Sequence, residues 1–312
     1  MLVEEELAQH RPDRDTLLTV GVFDGVHLGH KYLIAELVAR ARQRNLLSGV
    51  VTFRQHPQAV LHSGISVPFL TDLEERTALL KREGVDIIVP LTFTRKSAQL
   101  SARQFVGLLQ SHLRMRGLVI GPDFALGRER EGNADALRRL GEELGFEVTV
   151  VPPVRVNGEV VSSTAIRQAL AKGDMDKVRR LAGRPFALKG RVITGAGRGK
   201  DLGFPTANLA MDRQQAIPSD GVYAGWAHVN GKSRPALTNI GTNPTFDDKT
   251  RNVEVYIADF HGDLYGRELR VNFLARLRDE EKFESAEALK QQMAEDVQRG
   301  RELLHREGRN MI

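Results

Sequence analysis

Cysteine is absent from the 312 residues, which removes disulfides, thiolate nucleophiles and cysteine-ligated zinc without fixing a compartment. No apolar run approaches the ~18 residues that a membrane-spanning helix needs. The first ten residues are acidic and lack the apolar core of a secretory signal. The expected compartment is therefore the cytoplasm, with no membrane partner. Low-complexity tracts and internal repeats are missing as well. Basic residues outnumber acidic ones by 45 to 40, for a net charge of +5. The two signs are interspersed and no long Lys/Arg block exists, so the charge suits anionic small molecules such as nucleotides better than nucleic acid.

What is present divides into two halves of different pattern. In the first ~150 residues, strand signals at residues 17–23, 49–53, 85–91, 118–120 and 146–151 alternate with helical segments, the arrangement of a parallel α/β sheet. The strands are rich in apolar and β-branched residues, as strands buried on both faces should be. Thr71-x-x-Glu74 and Ser101-x-x-Gln104 read as capping boxes. Leu33, Leu37 and Ala41 place an apolar stripe on the first helix of this sheet. A Rossmann-like domain is predicted. The pattern changes around Gly183-Arg184-Pro185, giving expected domains of 1–183 and 184–312. Beyond it come short alternating strands at 188–194, 222–229, 253–260 and 269–277, with Asn230-Gly231 as a tight hairpin turn. A helix from about Ser285 carries Leu289, Met293 and Val297 on one stripe. A small antiparallel barrel closed by a helix is predicted.

The handover from the first strand to the first helix reads Gly21-Val22-Phe23-Asp24-Gly25-Val26-His27-Leu28-Gly29-His30. In an open parallel sheet this crevice binds ligands. Its glycines allow backbone N–H groups close to a phosphate, and the helix start favours anions. His27 and His30 can donate to phosphate oxygens as charge builds up in a transition state. Two plainer readings stand beside this one: a structural turn with incidental histidines, and a His-x-x-His metal pair with Asp24. Ser162-Ser163-Thr164-Ala165-Ile166-Arg167 forms a second candidate. It is either an ordinary helix cap or a hydroxyl-rich helix start whose Arg167 grips a polyphosphate.

In the second half, Gly195, Gly197 and Gly199 form a loop that can close over phosphates, with Arg198 and Lys200 adding positive charge. A plain mobile loop is the alternative. Pro205-Thr206-Ala207-Asn208 follows. Strand alternation puts Thr206 and Asn208 on one side, where two neutral oxygens can meet a Mg²⁺-nucleotide. By periodicity alone, Glu254 is a solvated residue opposite Val253, Val255 and Ile257.

These segments together resemble a known family. His27 to His30 and Ser162 to Arg167 resemble the H-x-G-H and S-S-T-x-I-R motifs of the nucleotidylyltransferase superfamily. Gly121 to Gly127 resembles the G-x-D-F-x-F-G segment of its FMN adenylyltransferase branch, with Leu126 in the place of an aromatic. Thr52 to Pro57 resembles T-F-x-P-H-P, with Gln55 in the place of Pro. Gly203 to Asn208 resembles the G-F-P-T-A-N signature of riboflavin kinases, followed in order by Gly221 to Ala224, Asn239 to Phe246 and Val253 to Tyr256. Many relatives have His where Tyr256 stands. The chain thus resembles the bacterial bifunctional riboflavin kinase/FMN adenylyltransferases (FAD synthetases) over roughly residues 17–298.

The resemblance implies ATP-dependent phosphorylation of riboflavin to FMN in the second domain, and adenylylation of FMN to FAD with release of pyrophosphate in the first. It implies an adenylyltransferase ATP site of Gly21, Phe23, Asp24, Gly25, His27, His30, Ser162, Ser163, Thr164 and Arg167, with His27 and His30 catalytic. Asp123 and Phe124 would line the FMN/adenine pocket. The kinase ATP site would comprise Gly195, Gly197, Gly199, Lys200, Thr206 and Asn208, with Thr206 and Asn208 on Mg²⁺ and Glu254 as general base. The chief alternative is a flavin-sensing regulator, but no helix-turn-helix pattern is evident and Thr206, Asn208 and Glu254 are all present.

Overall fold

The apolar strands of the first half become the centre of a three-layer unit because neighbouring residues on one strand turn to opposite faces. The structure, a computed structural model, describes residues 1–62, 64, 66–195, 199, 202–242 and 251–309. By backbone contacts the chain separates into Met1–Ser163 and Thr164–Ile312.

In the first unit the elements run α1 (Leu2–Ala8), β1 (Thr16–Val20), α2 (Leu28–Gln43), β2 (Leu47–Phe53), α3 (Pro57–Leu61), α4 (Leu73–Arg82), β3 (Ile87–Leu91), α5 (Ala102–Leu113), β4 (Met115–Ile120), β5 (Ala125–Leu126), β6 (Gly132–Asn133), α6 (Ala134–Leu144), β7 (Glu147–Val150), β8 (Arg155–Val156) and β9 (Glu159–Val160). Five strands form a parallel sheet in the order β3-β2-β1-β4-β7. Leu17, Val50 and Val119 pack with Ile34, Leu37 and Val38 of α2 and Leu79 and Leu80 of α4. Their neighbours Leu18, Val51 and Leu118 pack on the other face with Val106 and Leu109 of α5 and Val3 and Leu7 of α1. Strand order reverses between β1 and β4, so the crevice beyond their carboxyl ends is the expected ligand position in such a sheet.

The local signals are met unevenly. Ser101 and Gln104 form the predicted capping box on α5. The Thr71 box does not form: Asp72 caps α4 by accepting from Glu75 N, while the Thr71 hydroxyl accepts from Gly25 N at 3.0 Å. The carboxylate at Asp72 is the stronger acceptor for a helix N-terminus, which frees Thr71 for the loop.

The second unit contains most of α7 (Ser163–Ala171), then α8 (Met175–Ala182), β10 (Phe186–Ile193), β11 (Thr206–Ala210), β12 (Gly221–Val229), β13 (Lys232–Thr242), β14 (Arg251–Ile257), β15 (Glu268–Arg278) and α9 (Ala286–Arg309). The six strands close a barrel in the order β10-β11-β14-β13-β12-β15, with antiparallel pairing throughout. Asn230 and Gly231 make the predicted turn between β12 and β13, both with positive φ (50° and 74°), as a type I′ hairpin demands. Helix α9 covers an outer patch of the barrel, with Leu303 packed against Val222, Ala224 and Leu277.

Two candidate sites and their relatives

At the end of β1 the chain enters an unusual loop. Phe23, Gly25 and Val26 all have positive φ, at 52°, 79° and 35°. For phenylalanine and a β-branched valine this is a costly backbone, about 1–3 kcal/mol each, that persists only when the surroundings over-determine it. The surroundings do so. Asp24 is 2% exposed, and its carboxylate accepts from Leu70 N at 2.9 and 3.0 Å and from Thr71 N at 3.2 Å. Ser163 Oγ donates to the Asp24 carbonyl at 2.8 Å. A Cβ on Gly25 would lie 2.8 Å from Leu70 Cδ1. Asp24 thus anchors the loop with its side chain, and the carboxylate points to backbone N–H groups of residues 70 and 71.

The loop delivers the two histidines to the start of α2. His27 is its N-cap and accepts from His30 N at 3.2 Å through Nδ1, so in the neutral ring Nε2 carries the proton and serves as donor. The His27 and His30 rings stack at 3.6 Å between centroids, and Phe23 tilts against His30 at 5.1 Å. Gly29 leaves room for the stack, since a Cβ there would crowd the His27 ring at 3.2 Å and Val161 O at 3.3 Å. Donor groups are therefore collected at the positive end of a 16-residue helix, where an anion is favoured. Gly121, Asp123 and Phe124 follow β4, the sheet neighbour of β1. Ser162 and Ser163 are half-buried at the start of α7, while Thr164 is exposed and Arg167 half-buried in the second unit.

A residue that sequence reasoning missed lies beneath the loop. Arg76 of α4 is 0% exposed. Its Nη1 donates to the carbonyls of Val22 at 2.8 Å and Phe53 at 2.9 Å, and its guanidinium lies 4.8 Å from the Phe69 ring centroid. Burial pushes its pKa down, opposed by the charges of Asp24 and Asp72. Taking a guanidinium out of water costs about several kcal/mol even after relaxation. The available signal is its spacing: Arg76 precedes Leu79 and Leu80 by three and four positions, which puts it on the buried stripe of α4.

In the barrel, cross-strand register assembles the second site. Asn208 of β11 and Asn239 of β13 both pair with Glu254 of β14, so the three stand abreast on one face. Thr206 and Leu237 likewise flank Tyr256. Val253, Val255 and Ile257 are buried as alternation requires. The face opposite them is not simply solvated, however: it lines a cavity of about 360 Å³ that Leu289, Met293 and Val297 of α9 help to wall. Glu254 Oε2 accepts from Thr206 Oγ1 at 3.3 Å. A Cβ on Gly195 would collide with the Asn208 amide, so only glycine permits that approach. Gly199 also lines the cavity. Gly197, Arg198 and Lys200, like Asn243 to Phe246, lie outside the described residues.

The cavity is two-natured. Val222, Leu237, Phe283 and Met293 offer an apolar wall, and Thr206, Asn208, Asn239 and Glu254 a polar one. Arg278 and Asp296, 15% and 6% exposed, form an ion pair in its side. Glu280, seated over Gly241, has its carboxyl pKa raised by desolvation and then by Asp220 and Glu254. Such a space can take a ligand that is apolar on one side and polar on the other. The Thr206 and Asn208 oxygens beside Glu254 are a hard donor set that fits Mg²⁺ carried by a nucleotide.

Comparison with known proteins also finds two segments. Residues 9–165 match the FAD synthetase family and residues 182–304 the riboflavin kinase family. A bifunctional riboflavin kinase/FMN adenylyltransferase of Escherichia coli (strain K12) is 39% identical over 295 residues, covering 93% of each chain. That of Listeria monocytogenes is 38% identical over 289 residues, 92% of this chain and 91% of the relative. That of Bacillus subtilis is 32% identical over 303 residues, 95% and 93%. A solved structure described as a macrolide-efflux protein from Streptococcus pneumoniae is 32% identical with a TM-score of 0.89, covering 96% of this chain and 97% of that one. Among the described residues of the present chain, no helix is long and apolar enough to cross a membrane.

Proposed function

The chain belongs to the family of bifunctional riboflavin kinase/FMN adenylyltransferases, and from that premise we propose how its residues divide the two reactions. Riboflavin, FMN and FAD are substrates or products, and ATP is the donor in both steps. We assign residues 1–183 to the adenylyltransferase and 184–312 to the kinase, because Thr164 and Arg167 continue the motif that Ser162 and Ser163 begin. ATP-dependent cofactor synthesis of this kind belongs in the cytoplasm and calls for no nucleic acid.

In the kinase, the apolar wall receives the flavin ring and Glu254 takes the proton from the terminal ribityl hydroxyl as that oxygen attacks the γ-phosphorus of ATP, whose bond to the bridging oxygen breaks as ADP leaves. Thr206 and Asn208 hold the magnesium-bound nucleotide. When bound, Mg²⁺ neutralises charge on the phosphate oxygens. In the adenylyltransferase, the FMN phosphate attacks the α-phosphorus of ATP and pyrophosphate leaves. Gly21, Phe23 and Gly25 shape the backbone around the phosphates, and Asp24 keeps that backbone in place. His27, His30, Ser162, Ser163, Thr164 and Arg167 donate to phosphate oxygens, and Asp123 and Phe124 border the flavin or adenine. No covalent intermediate is required, since positioning and charge stabilisation supply the rate.

The observation that carries this reading is the meeting of Thr206, Asn208 and Glu254 on one wall of one cavity, in a unit distinct from the one that stacks His27 on His30. The test is to separate the activities. Folded His30→Ala should lose about 10²–10³ in FAD formation, the worth of one charge-stabilising donor, while still making FMN from riboflavin. Asn208→Ala should stop FMN formation yet convert added FMN to FAD. Loss of both activities together in folded His30→Ala would refute the two-site assignment.

A further inference from the structure

We propose that Arg76 is a positioning residue for the adenylylation step, setting the loop of residues 22–27 from beneath. The inference rests on the reading that this loop handles ATP phosphates. Arg76 comes from α4, far along the chain from the loop, and is 0% exposed, so no substrate touches it. Its Nη1 joins the carbonyl of Val22 to that of Phe53, tying the exits of β1 and β2 together. Thr52 Oγ1 adds a second donor to the Val22 carbonyl at 2.9 Å.

A trans peptide points its C=O and N–H in opposite directions. With the Val22 carbonyl held inward, the Phe23 N–H is turned the other way. The next residues then enter the positive-φ run at 23, 25 and 26. The orientation of the loop's donors is therefore a consequence of where the Val22 carbonyl is pinned.

A purely structural role accounts poorly for this choice of side chain. Nε and Nη2 of Arg76 are buried with no hydrogen-bond partner among the described residues. Well-packed apolar side chains can replace a buried ion pair as a whole with no loss of stability, so packing alone does not call for a buried guanidinium facing Asp24 and Asp72. What an apolar side chain cannot do is hold two carbonyls at a fixed angle, or leave a desolvated positive charge behind a loop meant for phosphates. In a low-dielectric surrounding that charge acts more strongly than one in water.

The experiment uses the full chain, whose kinase activity reports on the integrity of the other unit. Arg76→Met keeps length and removes charge and fork; Arg76→Lys keeps charge and removes the fork. Folding of the first unit is followed by thermal unfolding, and FAD formation from FMN and ATP by initial rates. Arg76→Met should lower the thermal stability of the first unit, because it takes a donor from the Val22 and Phe53 carbonyls and the opposing charge from the buried Asp24. The folded fraction should still lose about 10²-fold in adenylylation kcat/KM, within the range for a displaced catalytic constellation. Arg76→Lys should recover the KM for ATP but not kcat, remaining about tenfold low. Kinase rates should not change in either.

Adenylylation within twofold of wild type in a folded variant overturns the proposal. So does a loss that only tracks the unfolded fraction. If Arg76→Met does not fold, Arg76→Lys decides by the same criteria, and if neither folds Arg76 is structural and the proposal fails. Absence of FAD formation by the wild type itself would instead refute the reading on which the inference rests.

Discussion

Glu254→Gln is the substitution that bears most directly on the kinase chemistry. Glutamine keeps the shape of the side chain and an oxygen able to accept from Thr206 Oγ1, which lies 3.3 Å from Glu254 Oε2. It cannot take a proton. Loss of a general base lowers turnover by about 10²–10⁴, a barrier increase of about 2.7–5.5 kcal/mol. The neighbours decide where in that range the loss falls. Asn208 and Asn239, the cross-strand partners of Glu254, have no proton-accepting function. Glu280 and Glu281 line the same cavity, so partial substitution by either would hold the loss near ~10². Adding Glu280→Gln should then deepen it. The assay is the initial rate of FMN formation at saturating ATP, with riboflavin affinity followed by flavin fluorescence and expected to change little. FAD formation from added FMN by the same preparation provides the control. A kinase rate within twofold of wild type would return Glu254 to a mere lining residue and refute the reasoning.

Asp296→Ala should destabilise the barrel unit by about 3–5 kcal/mol, because it leaves the Arg278 guanidinium buried without its counter-ion. The Asp296 carboxylate accepts from Arg278 Nε and Nη2 at 2.9–3.1 Å, and urea unfolding measures the cost of removing it. Glu280→Gln should raise thermal stability modestly at neutral pH. The Glu280 pKa is raised above its ordinary 4.5 in the folded protein, so the folded state binds the proton more tightly, and stability present below that ordinary value is lost as pH rises through the folded value. The gain in the variant should therefore vanish toward acid pH, and a gain that grows there would contradict the sign.

The sheet and the barrel are legible because their signals are local. Continuous apolar strands, alternation in β14 and in the second half of β12, the Ser101 box and the Asn230-Gly231 turn each follow from residues close in sequence. β13 escapes such reading: Pro235 lacks a backbone donor and Thr238 and Asn239 interrupt its apolar content, yet pairing with both β12 and β14 holds it. The tiny hairpins β5–β6 and β8–β9, two residues per strand, are too short for periodicity to register. The stripe on α2 lies slightly off the expected one: Ile34, Leu37, Val38 and Ala41 are its buried residues, with Leu33 only partly covered.

At the sites, alternation places Glu254 correctly on the face opposite Val253, Val255 and Ile257. It cannot tell that α9, much farther along the chain, turns that face into a cavity wall. Arg76 is hidden for a related reason. Its spacing to Leu79 and Leu80 marks a buried stripe, but only the docking of α4 beneath the Val22 carbonyl gives a buried guanidinium there its acceptors and makes Arg76 the largest fully buried side chain among the described residues.

The account stands most directly on one time course. Wild-type protein supplied with riboflavin and excess ATP with Mg²⁺ should produce FMN first and FAD after a lag, with one pyrophosphate per FAD, and a chelator in excess should halt both. Folded protein that yields neither FMN nor FAD under these conditions would contradict it.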